Sequence, residues 1–191
     1  MSRYDDDIWR LVPEEPGPPP AHLARFVREL GRPAAALDLG CGDGRLGHHL
    51  HAEELTLADV SPVALARARE RLPGVRAVEL DPDSPLPLAD GEFDLVLCAE
   101  TIEHVRDVQL LLSEARRVLR PRGRLAITTP AHSRLTGLDL FARGFEERLH
   151  PLSPHIRFLT RRSLRRLLVD FGFDPESIRR RRGSLLAVAR R

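Results

Sequence analysis

Lysine is absent from this 191-residue chain, and all 30 of its basic side chains other than histidine are arginine. That absence removes phosphate-transfer enzymes that depend on a nucleotide-binding lysine. The triplet Asp170-Phe171-Gly172, which spells a kinase metal-binding motif, therefore reads as a helix end with Gly172 as its C-cap. The arginine usage points to a GC-rich coding sequence more than to a mechanism. Cysteine is nearly as scarce: Cys41 and Cys98 stand alone, one in a glycine turn and one at a strand end, so a disulfide framework has no material. No apolar run approaches the roughly 18 residues of a membrane span. The opening Met1-Ser2-Arg3-Tyr4-Asp5-Asp6-Asp7 is too acidic and polar for a secretion signal. The expectation is a soluble, cytoplasmic protein.

With 42% apolar residues, the chain has enough material for one substantial core and too little for two. A net charge of +2 hides an uneven distribution: residues 157 to 191 carry 11 arginines against Asp170, Asp174 and Glu176. Such a patch attracts phosphate-bearing substrates or nucleic acid. The preferred reading is a solvated edge, because Arg179-Arg180-Arg181-Arg182 precedes Gly183 at a hairpin turn, where charge discourages edge pairing.

The most informative stretch is Leu37-Asp38-Leu39-Gly40-Cys41-Gly42-Asp43-Gly44. An apolar strand runs into three glycines at alternate positions, which allow positive φ angles and close approach of a ligand to the backbone. A nucleotide-like cofactor over that turn is the expectation. A dinucleotide is disfavoured, because Arg45 stands where the nicotinamide fingerprint needs its third glycine. A second strand, Leu55-Thr56-Leu57-Ala58, ends in Asp59, nineteen positions after Gly40, where a carboxylate can accept both ribose hydroxyls. Ser61 and Pro62 follow as N-cap and first helical residue.

With Gly40-Cys41-Gly42-Asp43-Gly44, Asp59, Phe93-Asp94-Leu95-Val96-Leu97-Cys98 and Leu119-Arg120-Pro121-Arg122-Gly123 in that order, the chain resembles the class I S-adenosylmethionine-dependent methyltransferases. The last segment stands where that family usually has a Pro-Gly-Gly turn. The resemblance implies an α/β, Rossmann-like three-layer sandwich whose seven-stranded mixed sheet has its last strand antiparallel. It also implies S-adenosylmethionine as cofactor, S-adenosylhomocysteine as product, and binding at the strands' C-terminal edge. Carried onto this sequence, the cofactor residues are Asp38, Gly40, Cys41, Gly42, Asp59 with its neighbour Val60, Asp81, Pro82, Cys98, Ala99 and Glu100. Asp81, delivered by the strand Val75–Leu80, stands where the family's aspartate takes the adenine amino group. Pro82 departs from the pattern, since it has no N–H for the adenine ring; Asp83 supplies that contact or it is missing.

Glu100, Glu103 and His104 form a Glu-x-x-Glu-His pattern similar to that of the ubiquinone-pathway 3-O-methyltransferases and the small-RNA terminal 2′-O-methyltransferases, where it is associated with a divalent metal. Two carboxylates and an imidazole converge on one ion if a helix begins between them, with His155 as a fourth ligand. The favoured reading has no metal, with His104 and His155 as catalytic bases. Acids there also suit a helix dipole.

Residues 1–20 lack periodicity and are rich in proline, which reads as an extended arm; Tyr4, Trp9 and Leu11 anchor it either as a lid over the cofactor or by plain packing. Residues 21–191 read as one domain, beginning with a helix that buries Leu23, Phe26, Val27 and Leu30 and stops at Gly31. An insertion at about 131–159 holds His132, His150 and His155 among Leu135, Leu138, Leu140, Phe141 and Phe145, a mixture suited to capping an acceptor pocket. The expected reaction transfers a methyl group to a hydroxyl of a small molecule (a sugar, phenol, quinone or lipid-like acceptor, with room for a phosphate). The alternatives are an RNA 2′-O-methyltransferase and a cofactor-binding regulator without catalysis.

Overall fold

Apolar residues on both faces of β1 (Ala35–Leu39, all buried) require cover on each side, and this places the strand at the centre of a layered sheet. In the computed structural model of the chain, residues 2–14, 16–133, 136–138, 142 and 155–191 are described. Seven strands form one sheet in the order β3-β2-β1-β4-β5-β7-β6. They are β1, β2 (Glu54–Asp59), β3 (Arg76–Glu79), β4 (Phe93–Ala99), β5 (Leu119–Pro130), β6 (Asp174–Arg181) and β7 (Ser184–Arg190). β1 to β5 are parallel, while β7 runs antiparallel to both β5 and β6. This is the mixed sheet that the sequence motifs imply.

The pleat divides the core. Ala36, Leu95, Leu97 and Ala126 face α2 (Ala21–Arg28), which buries Val27 against them. Leu37, Val96, Leu125 and Ile127 face α4 (Val108–Val118) and α5 (Arg161–Asp170), which contribute Leu112, Ala115, Leu164 and Leu168. Each fully buried leucine there stabilises the fold by about 1.5–3 kcal/mol. Helix starts follow their caps. Asp107 accepts the N–H groups of Gln109 and Leu110, Ser61 caps α3 (Pro62–Arg71), and Thr160 forms a capping box with Ser163.

Two expectations need correction. The arm is not extended throughout, because Ser2–Leu11 forms a helix, α1. A ten-residue helix is marginal alone, and tertiary bonds hold this one. Ser61 Oγ donates to Asp6 at 2.6 Å, and Arg67 donates to the carbonyls of Val12 and Pro13. Leu11, read as an anchor, is 86% exposed. The segment Leu119–Gly123 does not separate from the strand after it. β5 runs through it from Leu119 to Pro130, with a register shift against β4 and a left-handed Arg122 (φ +67°) where the turn was expected. His150, Leu135, Leu140, Phe141, Phe145 and the side chain of Tyr4 lie outside the described residues.

Candidate active site

The C-terminal tips of β1, β2 and β4 meet at the glycine turn. Gly40, Gly42 and Gly44 adopt φ of +75°, +53° and +75°, a region L side chains rarely enter. The turn is fixed onto β2, since the N–H groups of Gly40 and Cys41 both donate to the Ala58 carbonyl at 2.8 and 3.0 Å. Asp59 completes the tie by accepting the Gly42 N–H at 2.8 Å and the Ser61 N–H at 3.0 Å. The carboxylate expected to hold a ribose thus also sets the conformation of the turn beside it, and a carboxylate's several lone pairs let it accept hydroxyls as well.

Asp38 lies beneath this turn, 1% exposed, with its Oδ2 packed against the Gly47 backbone but short of a well-formed hydrogen bond. Burial, and then the nearby Asp59 charge, push its carboxyl up to about 7. Two carboxylates, Asp38 and Asp59, close enough for one charge to raise the other's pKa suit a ligand rich in donors and positive charge. S-adenosylmethionine fits that requirement, with its sulfonium, ammonium, ribose diol and exocyclic amine. Asp81 at the next tip is exposed and accepts the Asp83 N–H and the Ser84 hydroxyl, which lower its pKa. The Asp83 N–H, the alternative to the one Pro82 lacks, is therefore already engaged. Cys41 and Cys98 are buried free thiols whose pKa values burial raises, consistent with small inert fillers.

Two close approaches to the glycines were not legible in the sequence. A Cβ on Gly40 would lie 2.6 Å from Thr101 Oγ1, and one on Gly42 would lie 2.6 Å from Cζ2 of Trp9. The indole of α1 therefore rests on the glycine turn itself.

Past β4 the chain turns sharply before α4. Glu100 is left-handed (φ +52°), an unusual conformation for a non-glycine residue and one found often at functional sites. Its N–H donates to the Thr128 carbonyl at 2.9 Å, and its carboxylate accepts the Thr128 hydroxyl at 2.8 Å. Burial raises the Glu100 pKa. Glu103 is 1% exposed. Its Oε2 accepts the Thr129 hydroxyl at 3.0 Å, while Oε1 has no hydrogen bond and lies 3.9 Å from His104 Nε2. Burial, then the Glu100 charge, push Glu103 up to about 7.

The Glu103 carbonyl accepts the N–H groups of Ile156 and Arg157 at 2.9 and 3.2 Å, which docks the segment after residue 154 onto β4's exit. The imidazoles of His155 and His104 meet there edge to face, with centroids 4.7 Å apart. Glu103, His104 and His155 each offer a ligand atom within 4.8 Å of the others'. Of the four metal ligands read from sequence, Glu100 is the one this cluster leaves out; α4 begins only at Val108, so no helix starts between the two glutamates. Burial lowers the pKa of His155 and of His132, leaving both neutral near pH 7. Beyond β5 a cavity of about 420 Å³ is lined by Ala131, His132, Ser133, Thr136, Arg180 and Gly183.

The model of a methyltransferase domain matches residues 37–127, the stretch from the glycine turn through β5. Malonyl-[acyl-carrier protein] O-methyltransferase of Pseudescherichia vulneris is 34% identical over 121 residues, covering 62% of this chain and 48% of that protein. The enzyme of the same description from Methylococcus capsulatus is 33% identical over 179 residues, covering 87% of this chain and 63% of that one. The chain thus spans about half to two-thirds of the length of these relatives. A solved S-adenosylmethionine-dependent methyltransferase from Aquifex aeolicus superposes with a TM-score of 0.68 over 91% of this chain and 94% of its own, at 20% identity, a likeness of fold. With the matched stretch lying over the very turn and strand tips described above, residues 37–127 carry a methyltransferase domain, on a fold shared with solved S-adenosylmethionine-dependent methyltransferases.

Proposed function

We propose that this protein transfers the methyl group of S-adenosylmethionine to a hydroxyl oxygen of a small molecule, with His155 and His104 as the basic pair. The observation that carries this reading is the contact of two imidazoles at the exit of β4, next to the cofactor turn. The names of the relatives, which specify oxygen as the atom they methylate, support the same acceptor element.

The cofactor, when bound, supplies an already activated methyl. The chain's own residues then have three tasks. Gly40 and Gly42 admit the ligand to the backbone, and Asp59 holds its hydroxyls. Thr101 and Trp9, packed on those glycines, limit water and hold the geometry in which acceptor and methyl can line up. His155, kept neutral by burial, takes the acceptor's proton on a ring nitrogen, a contribution of typically about 10²–10⁴-fold. We assign α1 as a lid and residues 131–159 as the element that selects the acceptor.

The specific observation of an unpaired Glu103 Oε1 among two histidine ring nitrogens favours a second reading, in which the three hold a divalent cation that orients the acceptor. Labelled-methyl transfer across pooled hydroxyl metabolites and short RNAs, with and without chelator, tests both. Transfer to small hydroxyl compounds that survives chelation supports the base reading, and loss on chelation supports the metal. Transfer only to RNA, or to nothing while the cofactor binds tightly, overturns the small-molecule proposal.

A further inference from the structure

Four consecutive arginines, 179 to 182, form the end of β6 and its turn, and strand parity separates them. Ile178 is buried against the α5 side of the core, so Arg180, two residues on, lies on that same face. Arg179 and Arg181 lie on the other face, where their charges reach Glu29, the residue that follows α2. Arg182 forms the turn with Gly183 (φ +47° and +86°), and its charge reaches His22. Arg180 alone of the four lines the cavity beyond β5.

No carboxylate among the described residues pairs with Arg180. The acids of this region are committed elsewhere, Asp170 to Arg166 and Glu176 to Arg190. Ser133 and Thr136 also line the cavity and brace each other, the Thr136 hydroxyl accepting the Ser133 N–H at 3.1 Å. The floor is rigid, because the Ala131 N–H donates to the Gly183 carbonyl at 2.7 Å and joins the end of β5 to the hairpin. His132, which also lines this space, lies near enough to His155 that protonation of either ring opposes protonation of the other, so the cavity adjoins the proposed base pair. A guanidinium with no acid partner among the described residues, exposed at the edge of a few hundred Å³ that His132 and Thr136 also line, is chemistry for an oxyanion.

We infer that this cavity is a subsite for an anionic group of the acceptor, a phosphate or carboxylate, with Arg180 as its anchoring cation and Thr136 and His132 as its polar wall. The inference rests on the small-molecule reading above and narrows it: the acceptor carries a negative group as well as a hydroxyl.

The test is a titration of the complex with S-adenosylhomocysteine by inorganic phosphate and, separately, by malonate, followed by backbone amide NMR. Saturable shifts centred on Ala131, His132, Ser133 and Gly183 are expected from the anion that matches the site, and the pair of titrations tells phosphate from carboxylate. Arg180→Ala weakens that binding by about 10- to 100-fold, the range for losing a charge-assisted contact. Arg179→Ala, on the opposite face, leaves it within about twofold of the parent, since a neighbouring surface charge acts only through screened solvent. Shifts spread along the whole arginine run and weakened equally by either substitution, or no saturable shifts with either anion, overturn the subsite. Calorimetry of S-adenosylhomocysteine on the same variants reads the cofactor site separately, so failure of the subsite is distinguishable from failure of the methyltransferase reading.

Discussion

The two halves of the sheet use their polar groups in opposite ways. Around β1 and β2 the backbone of the glycine turn is tied down, with the Gly40, Cys41 and Gly42 N–H groups all satisfied within the fold. Around β4 and β5 the side chains carry the unsettled chemistry: Glu103 Oε1, Ser133 Oγ and Arg157 Nη1 are buried without hydrogen-bond partners. The first half is a finished mould for one ligand. The second half holds polar groups that a bound acceptor or ion would complete. Asp38 crosses the division, since its Oδ2, short of a well-formed hydrogen bond, lies in the finished half.

The strongest way to break this comparison is His155→Ala. Turnover should fall by about 10²–10⁴-fold while S-adenosylhomocysteine affinity stays the same. The sign of the pH dependence follows from burial, which lowers the His155 pKa from 6.5. Its neutral, proton-accepting form persists to lower pH than in an unshifted histidine, so the acidic decline of the parent rate should be centred below 6.5. The variant should lack this acidic limb. A variant that loses cofactor affinity in step with turnover would merge the two halves into one site.

A second test addresses Asp38. Its carboxyl is pushed up from 3.8 to about 7, so between those pH values the folded chain holds a proton that the unfolded chain has released. Stability of the cofactor-free protein should therefore fall as pH rises through that window. Asp38→Asn should flatten the slope and gain on the order of 2–4 kcal/mol at pH 8 relative to the parent. Denaturant melts at pH 5 and pH 8 measure this directly, and parallel slopes for the two proteins would remove Asp38 as the strained member of the mould.

Asp59→Ala sharpens the same half. It removes the expected ribose acceptor and also strands the buried Gly42 and Ser61 N–H groups. We expect cofactor affinity to drop by about 1–3 kcal/mol and the melting point to drop with it. Calorimetry that finds unchanged affinity would place the ribose elsewhere.

The difference between the halves also explains what is legible in the chain. Glycines at alternate positions and carboxylates at strand ends encode backbone conformation and strand register locally, so Gly40, Gly42 and Asp59 stand out in the sequence alone. The pairing of His155 with His104 depends on two N–H groups donating to a carbonyl some fifty residues earlier, which no periodicity announces. Glu100 is legible as a site residue, but its turn towards Thr128 is set by a left-handed backbone without a glycine to mark it. Arg180 is hidden in a run of like charges. Ile178 supplies the parity that singles it out, yet that signal works only once β6 is known to be a strand.

α1 is where local signals mislead and where the smallest effect should be sought. Its ten residues lack the apolar content to hold a helix alone, and its bonds run to partners far along the chain: Asp6 to Ser61, and Trp9 to Gly42. Trp9 is the single tryptophan of the protein, so its fluorescence reports this contact without labelling. Addition of S-adenosylhomocysteine should change that emission saturably, because the indole lies on the turn the ligand must cover. Asp6→Ala removes one hydrogen bond from the latch and should weaken cofactor binding by about 0.5–1.5 kcal/mol, mostly through faster release. An emission that ignores the ligand, or a release rate untouched by Asp6→Ala, would make α1 ordinary packing and leave the mould open to solvent on that side.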